Sequence, residues 1–313
     1  MLTSRRLRMI FFLPVLSFWV AQVQIRWAGA QEDKKLQPIG QKPVEEADIR
    51  KIFLRQTSVL LHPGQVEFEA SPGYIRNQSS SLVLNVKFRQ FRMPLAARFG
   101  LFRRAEAYLT VPAVYVHREM SFADQAITYR QSGIGDATIG LNYEVTRENI
   151  SRPDTIAFFS VTAPTGSKPN EAGVSLGSGH WAVNAGVQFI KTVDPIALFG
   201  GILYSHQFPA RYFLNEAVHS VKPGETAGYN FGFGFAVNDN VSLSAQVTGS
   251  YQARAKADEK PVFGSSSEPV TLRWGLTYRY SRRTYIEPSV VIGLDDDASD
   301  FALGISFTHR LGK

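Results

Sequence analysis

The sequence predicts an all-β protein: a transmembrane up-and-down antiparallel β-barrel of about twelve strands, preceded by one short helix. Three observations point there. Apolar and polar residues alternate through one segment after another, the period of a strand with one greasy face. The links alternate between tight turns and long polar loops, as in barrels with short periplasmic turns and longer external loops. The N-terminus has the layout of an export signal.

Arg5, Arg6 and Arg8 form a basic start, residues 9–21 an apolar stretch, and Ala28-Gly29-Ala30 a small-x-small cleavage pattern, so residues 1–30 read as a signal peptide. That segment holds four of the 34 Lys and Arg and none of the 27 Asp and Glu, so the mature chain is close to balanced. Such a balance gives no footprint for nucleic acid. Residues 31–64 form a polar, periplasmic lead-in. Within it Pro43 suits the first position of a helix, and Glu45, Glu46 and Asp48 suit its positive end. Ile49, Ile52 and Phe53 follow at helical spacing, and Pro63-Gly64 ends the segment. This short amphipathic helix is either a plug for the barrel or a plain lead-in.

The barrel is assigned to residues 65–313. Val66, Phe68 and Ala70 alternate with Glu67 and Glu69; Leu82, Leu84, Val86 and Phe88 alternate with Asn85, Lys87 and Arg89. Leu95, Ala97, Phe99 and Leu101 resume on the opposite parity, which predicts a bulge over residues 90–94. A strand over 105–117 follows. Ile139, Leu141, Tyr143 and Val145 then alternate with Thr138, Asn142 and Glu144. Residues 155–163 are apolar on both faces and ambiguous by themselves. Residues 181–193 and 196–204 flank Asp194-Pro195 and form a hairpin. Tyr229, Phe231, Phe233 and Phe235 alternate with Asn230, Gly232 and Gly234, and four more strands follow over 241–251, 271–280, 286–292 and 301–311. Residues 119–133, 164–179, 206–225 and 253–267 are the long polar loops.

Apolar faces turned to lipid require a closed sheet, because an open edge inside a bilayer has no water to bind. With no cysteine, thiol catalysis, Cys-ligated zinc and disulfides are excluded.

The stretches Gly133-Ile134-Gly135-Asp136, Thr162-Ala163-Pro164-Thr165-Gly166, 177–183 (GSGHWAV), 194–200 (DPIALFG) and 293–301 (GLDDDASDF) occur in an order and spacing that resembles the outer-membrane transporters of the MetA-pathway phenol-degradation family. The resemblance covers roughly residues 60–313. The chain is also similar to channels that secrete functional-amyloid subunits, which carry a helical segment before the barrel. The resemblance implies location in the outer membrane of a Gram-negative bacterium and passage of a small hydrophobic or aromatic solute, or of a small polypeptide. It implies contact with outer-membrane lipid and lipopolysaccharide and with the outer-membrane assembly machinery. Self-association into a homo-oligomer is compatible with it. A lipid hydrolase and a purely structural or adhesive barrel are the readings of another class.

The lumen candidates are Glu67, Glu69, Lys87, Arg89, Arg98, Glu106, Asp136, Asn142, Glu144, Arg273, Arg279, Glu287 and Arg310. They either set selectivity as a charged lining or neutralise one another. Trp181, Tyr204, Tyr251, Trp274, Tyr278 and Tyr280 read as interface girdle residues, with ligand stacking as the rival role. Asp295, Asp296, Asp297 and Asp300 read as a solvated loop rather than an ion site. No catalytic motif, cofactor fingerprint or metal set is expected: Gly177-Ser178-Gly179-His180 places a serine beside a histidine in a loop, with no acid at an identifiable spacing to orient it.

Overall fold

A strand that alternates polar and apolar residues presents two unlike faces, and the sheet it joins must bury one and find a solvent for the other. A computed structural model describes residues 60–80, 84–122, 125–168, 174–193, 195–214 and 217–312. The expected signal segment, and the helix with Ile49, Ile52 and Phe53, lie outside the described residues. The strands in chain order are β1 (Val66–Ala70), β2 (Gly73–Ser80), β3 (Leu84–Phe102), β4 (Ala105–Phe122), β5 (Gln125–Ile134), β6 (Ala137–Thr146), β7 (Asp154–Ala163), β8 (Ala182–Val193) and β9 (Ile196–Gln207). After them come β10 (Ala210–Leu214), β11 (Ala217–Lys222), β12 (Thr226–Asn238), β13 (Val241–Gln252), β14 (Lys256–Ala257), β15 (Lys260–Pro261), β16 (Val270–Ser281), β17 (Thr284–Gly293) and β18 (Phe301–Leu311).

Fourteen of these form one antiparallel sheet. β1 and β2 are two halves of one wall position, bent at Ser71-Pro72, and β5 and β6 are two halves of another, so the wall has twelve positions. It closes where β18 pairs with β1, from Val66↔Leu311 to Ala70↔Phe307, and with β2. The outward face is continuous and apolar: Ile139, Phe159, Leu198, Ile202, Phe231, Trp274 and Leu303 are all between 46% and 62% exposed. A soluble monomer does not carry a belt of that extent. In a bilayer the same belt is solvated by lipid, and closure leaves no strand edge to hydrate.

The expected bulge over residues 90–94 is absent. β3 pairs with β4 in unbroken register from Leu84↔Phe122 to Gly100↔Glu106, and the shift comes at Gly100 and Phe102. Parity never switches; the surroundings do. Over its lower half β3 turns Leu95, Phe99 and Leu101 outward to lipid. Higher up, Phe88 is on the inner face, packed near buried Val114, Val116 and Val174. Beyond the bilayer the inner face is the dry one, so the apolar residues change sides. The stretch expected as a loop over 119–133 is the top of this wall, where β4 and β5 pair from Phe122↔Gln125 to Ala113↔Ile134.

The polar loops expected over 206–225 and 253–267 build a second, four-stranded sheet in the order β10-β11-β14-β15. Asp258 and Glu259 sit at φ 47° and 66°, which closes the β14–β15 hairpin in two residues. Asp258 also pairs with the His219 ring at 2.7 Å and accepts a hydrogen bond from the Ser220 N–H at 2.9 Å, and these two, His219 first, hold its pKa below the usual carboxylate range.

Consecutive residues of β12 test the assignment of faces. Phe231→Arg, outward, should cost about 2–4 kcal/mol in urea unfolding from lipid vesicles. Asn230→Lys, inward, should cost far less. Equal costs would contradict the orientation.

Candidate functional site in the barrel lumen

The inner face carries a knot of charge near the short-turn end. Arg98 on β3 donates to Glu67 on β1 at 3.0 Å and to Glu106 on β4 at 2.7 Å. Arg310 on β18 donates to Glu67 at 2.9 Å, and the Asn142 amide on β6 donates to Glu106 at 2.8 Å. Cross-strand register brings them together, since Glu67 faces Arg98 on one side and Arg310 on the other. Glu67 and Glu106 are 1% and 0% exposed. A carboxylate buried that deeply needs both charge partners and hydrogen bonds, and here it has them.

The same knot holds the start of the described chain. The Leu61 N–H donates to Glu106 Oε2 at 3.0 Å. Gly100, inward on β3, lies so close to His62 that a Cβ there would sit 2.0 Å from the His62 carbonyl oxygen. Leu60 packs on an inward apolar cluster of Ile156, Ile190, Ala197 and Phe199 from β7, β8 and β9. Residues 60–62 therefore lie across the lumen, bound to a charged wall on one side and a greasy wall on the other.

Two cavities of ≈ 350 and ≈ 660 Å³ fill the middle of the barrel and share Ala96, Arg98 and Thr110. The smaller is lined by Tyr108, Ile156 and Phe158 together with the amides Gln188 and Asn230. The larger runs along β1–β3 and β16–β18, past Glu69, Arg92, Arg273 and Glu287. Glu69 accepts from the Ser306 hydroxyl at 3.0 Å, and Glu287 from the Thr277 hydroxyl at 2.9 Å.

At the long-loop end, among the described residues, β5 pairs only with β4, and residues 174–176 of the segment after β7 pack against the inner face of these two strands. Val174 of that segment is 1% exposed. Its latch is Asp136, between β5 and β6, which accepts from the N–H groups of Gly166 and Ser178 at 3.0 and 2.6 Å and from the Ser178 hydroxyl at 2.6 Å. A Cβ on Gly177 would fall 2.1 Å from Asp136 Oδ1, so only glycine permits the approach. Tyr212 of the second sheet donates to the Ser178 carbonyl at 2.7 Å; burial, and then the Asp136 charge, hold its hydroxyl in the protonated form by raising its pKa.

This arrangement is not a catalytic triad. Ser178 donates its hydroxyl hydrogen bond to the Asp136 carboxylate, and His180 Nδ1 faces the Ser178 carbonyl and the Tyr212 hydroxyl. Among the described residues no group of three or more His, Asp or Glu could hold a metal. Asp295, Asp297 and Asp300 are spent on backbone: they accept from the N–H groups of Val270, Glu268 and Gln78 at 2.7, 2.7 and 2.9 Å.

Of the sequence candidates, Glu67, Arg98, Glu106, Asn142 and Arg310 meet in the knot, and Glu69, Arg273 and Glu287 line the larger cavity. Glu144 pairs with Arg147 at the short-turn rim, and Arg279 reaches Asn240 in a turn. Lys87 and Arg89 share the outward face with Phe91, and Asp136 is the latch; these three do not line the lumen. Trp181, Tyr204, Tyr251, Trp274, Tyr278 and Tyr280 are all outward and 42–70% exposed. The apolar lumen residues Ile156, Phe158, Ile190 and Phe199 were not among the sequence candidates. Their signal was present: a strand apolar on both faces has one face turned to something other than lipid.

Arg98→Met leaves two buried carboxylates short of a partner and should destabilise the barrel by about 3–5 kcal/mol in the same unfolding assay. A change under about 1 kcal/mol would mean the knot is not structural.

A family model described as "Putative MetA-pathway of phenol degradation" matches residues 97–311. The chain is similar to an outer membrane channel from Pseudomonas putida F1, at 14% identity over 80% of this chain and 97% of that chain, TM-score 0.67. It is also similar to the translocator domain of the autotransporter NalP from Neisseria meningitidis, at 9% identity over 85% of this chain and 94% of that one, TM-score 0.51.

Proposed function

The chain belongs to the family described as "Putative MetA-pathway of phenol degradation", and from that membership we propose that this outer-membrane barrel is a channel for a small hydrophobic or aromatic solute. The observation that carries the reading is the lumen: two adjoining cavities, one walled by Tyr108, Ile156 and Phe158 as well as amides, with chain segments packed against the inner wall toward both ends. An open porin for hydrated solutes needs a wide polar bore. The smaller cavity sets Tyr108, Ile156 and Phe158 beside Arg98, Asn142, Gln188, Asn230 and Gln246, which suits one small molecule with an apolar body and a polar edge.

On this reading the short-turn end faces the periplasm and the long-loop end faces outward. The mixed charges of the knot hold the wall and the lead-in rather than select ions. The segment over residues 43–59, with Ile49, Ile52 and Phe53, is the plug. Leu60 on the greasy wall and Leu61 on Glu106 support that role, because they bring the chain into the lumen at the point where this segment ends. The partners are the solute, the surrounding lipid and lipopolysaccharide, and the outer-membrane assembly machinery. A secretion pore for a polypeptide would have to clear both ends of the lumen.

Proteoliposome uptake tests the proposal. Full-length protein should admit a radiolabelled monoaromatic compound several-fold faster than empty vesicles and should not admit a disaccharide. Deleting residues 44–59 should raise ionic conductance and admit the disaccharide. Uptake of the aromatic compound at the empty-vesicle rate by both proteins would overturn the channel, and unchanged conductance on deletion would overturn the plug.

A further inference from the structure

On the outer face of β2–β5, above the lipid belt, four basic side chains stand side by side on four consecutive strands. The register is Arg76↔Arg89, Arg89↔His117 and His117↔Arg130. Arg76, Arg89 and Arg130 are exposed. Like charges placed directly opposite one another across strands are destabilising, so such a row is unfavourable unless an anion lies on it. Among the described residues none of the three arginines is ion-paired with a carboxylate. The neighbouring acid, Glu119, is one row further out and takes Lys87 at 3.5 Å.

The height of the row identifies the anion. Two residues closer to the belt lies an aromatic row, Tyr74↔Phe91↔Tyr115, each ring 38–45% exposed and turned outward. Aromatic rows of this kind sit at the boundary between hydrocarbon and headgroups. Two residues along a strand is roughly 7 Å, so the arginines stand at the level of the headgroup phosphates. Neighbouring strands are about 4.8 Å apart, so the row spans roughly 14 Å, wide enough for more than one phosphate. Guanidinium groups bind phosphate through paired, charge-assisted hydrogen bonds.

We propose that Arg76, Arg89, His117 and Arg130 form a surface site for the phosphorylated disaccharide headgroup of lipopolysaccharide in the outer leaflet. The site rests on the outer-membrane reading above but is independent of what the lumen carries. It also accounts for the length of β3 and β4, which rise past the aromatic row and carry the basic one.

The test is native mass spectrometry of detergent-purified full-length protein titrated with bisphosphorylated lipid A, dephosphorylated lipid A, phosphatidylglycerol and inorganic phosphate. Wild type should bind bisphosphorylated lipid A at least about tenfold more tightly than a triple variant, Arg76→Gln, Arg89→Gln and Arg130→Gln, since the variant loses its charge-assisted hydrogen bonds to phosphate. Dephosphorylated lipid A should bind both proteins equally weakly. Equal binding of bisphosphorylated lipid A to the two proteins would overturn the site. Equal affinity of wild type for phosphatidylglycerol or inorganic phosphate would overturn lipopolysaccharide as its occupant. Arg→Lys at the same three positions should recover part of the affinity, which a merely misfolded triple variant would not explain. Solute uptake should be unchanged in both variants, so failure of the site and failure of the channel are told apart.

Discussion

Everything in this molecule follows from the fate of its backbone hydrogen-bonding groups in hydrocarbon. An unpaired N–H or C=O in the bilayer costs several kcal/mol, and a strand edge offers a row of them. The pairing of β18 with β1 and β2 removes that edge. Closure then fixes the rest. One face of every strand must look outward at lipid, and the other encloses a space whose contents decide what the barrel does.

That enclosed space is where this chain departs from an open pore. Charges that lipid cannot accept are turned inward and neutralise one another through Glu67, Arg98, Glu106 and Arg310. Elsewhere on the inner face Ile156, Ile190, Ala197 and Phe199 make an apolar surface with no lipid to solvate it. Leu60 packs on that surface, and the Leu61 N–H binds the charged side. At the other end Asp136 holds a glycine-rich segment whose Val174 packs against inward Val114 and Val116. A lumen with its own chain packed against its wall at both ends, and a greasy patch in it, is better fitted to hold a small apolar molecule than to conduct water.

The wall was legible in the sequence because a period of two is fixed by strand geometry and needs no tertiary knowledge. Phe231 against Asn230, or Leu141 against Asn142, declares its face locally. Which solvent each face meets is a property of height along the barrel, and no local pattern encodes height. Residues 82–101 show the consequence. Val86 and Phe88 look like lipid-facing residues ahead of a bulge, yet they point inward on an unbroken strand, and Lys87 and Arg89 point out. The knot was half legible: its members were named from their parity, but their mutual pairing depends on cross-strand register. The second sheet was hidden because its strands are short and carry polar residues on both faces.

The family and the structural likenesses fix the architecture and leave the cargo to the lumen's own chemistry. The absence of cysteine makes that chemistry easy to probe. The most direct measurement is thiol labelling of single cysteines placed in turn at positions 228–234 of β12, in vesicles, with a small water-soluble methanethiosulfonate, in the presence and absence of a monoaromatic compound. Labelling should occur at the even, inward positions, and the compound should slow it there and nowhere else. Labelling without alternation, or alternation that the compound leaves untouched, would contradict a lumen that receives hydrophobic solutes.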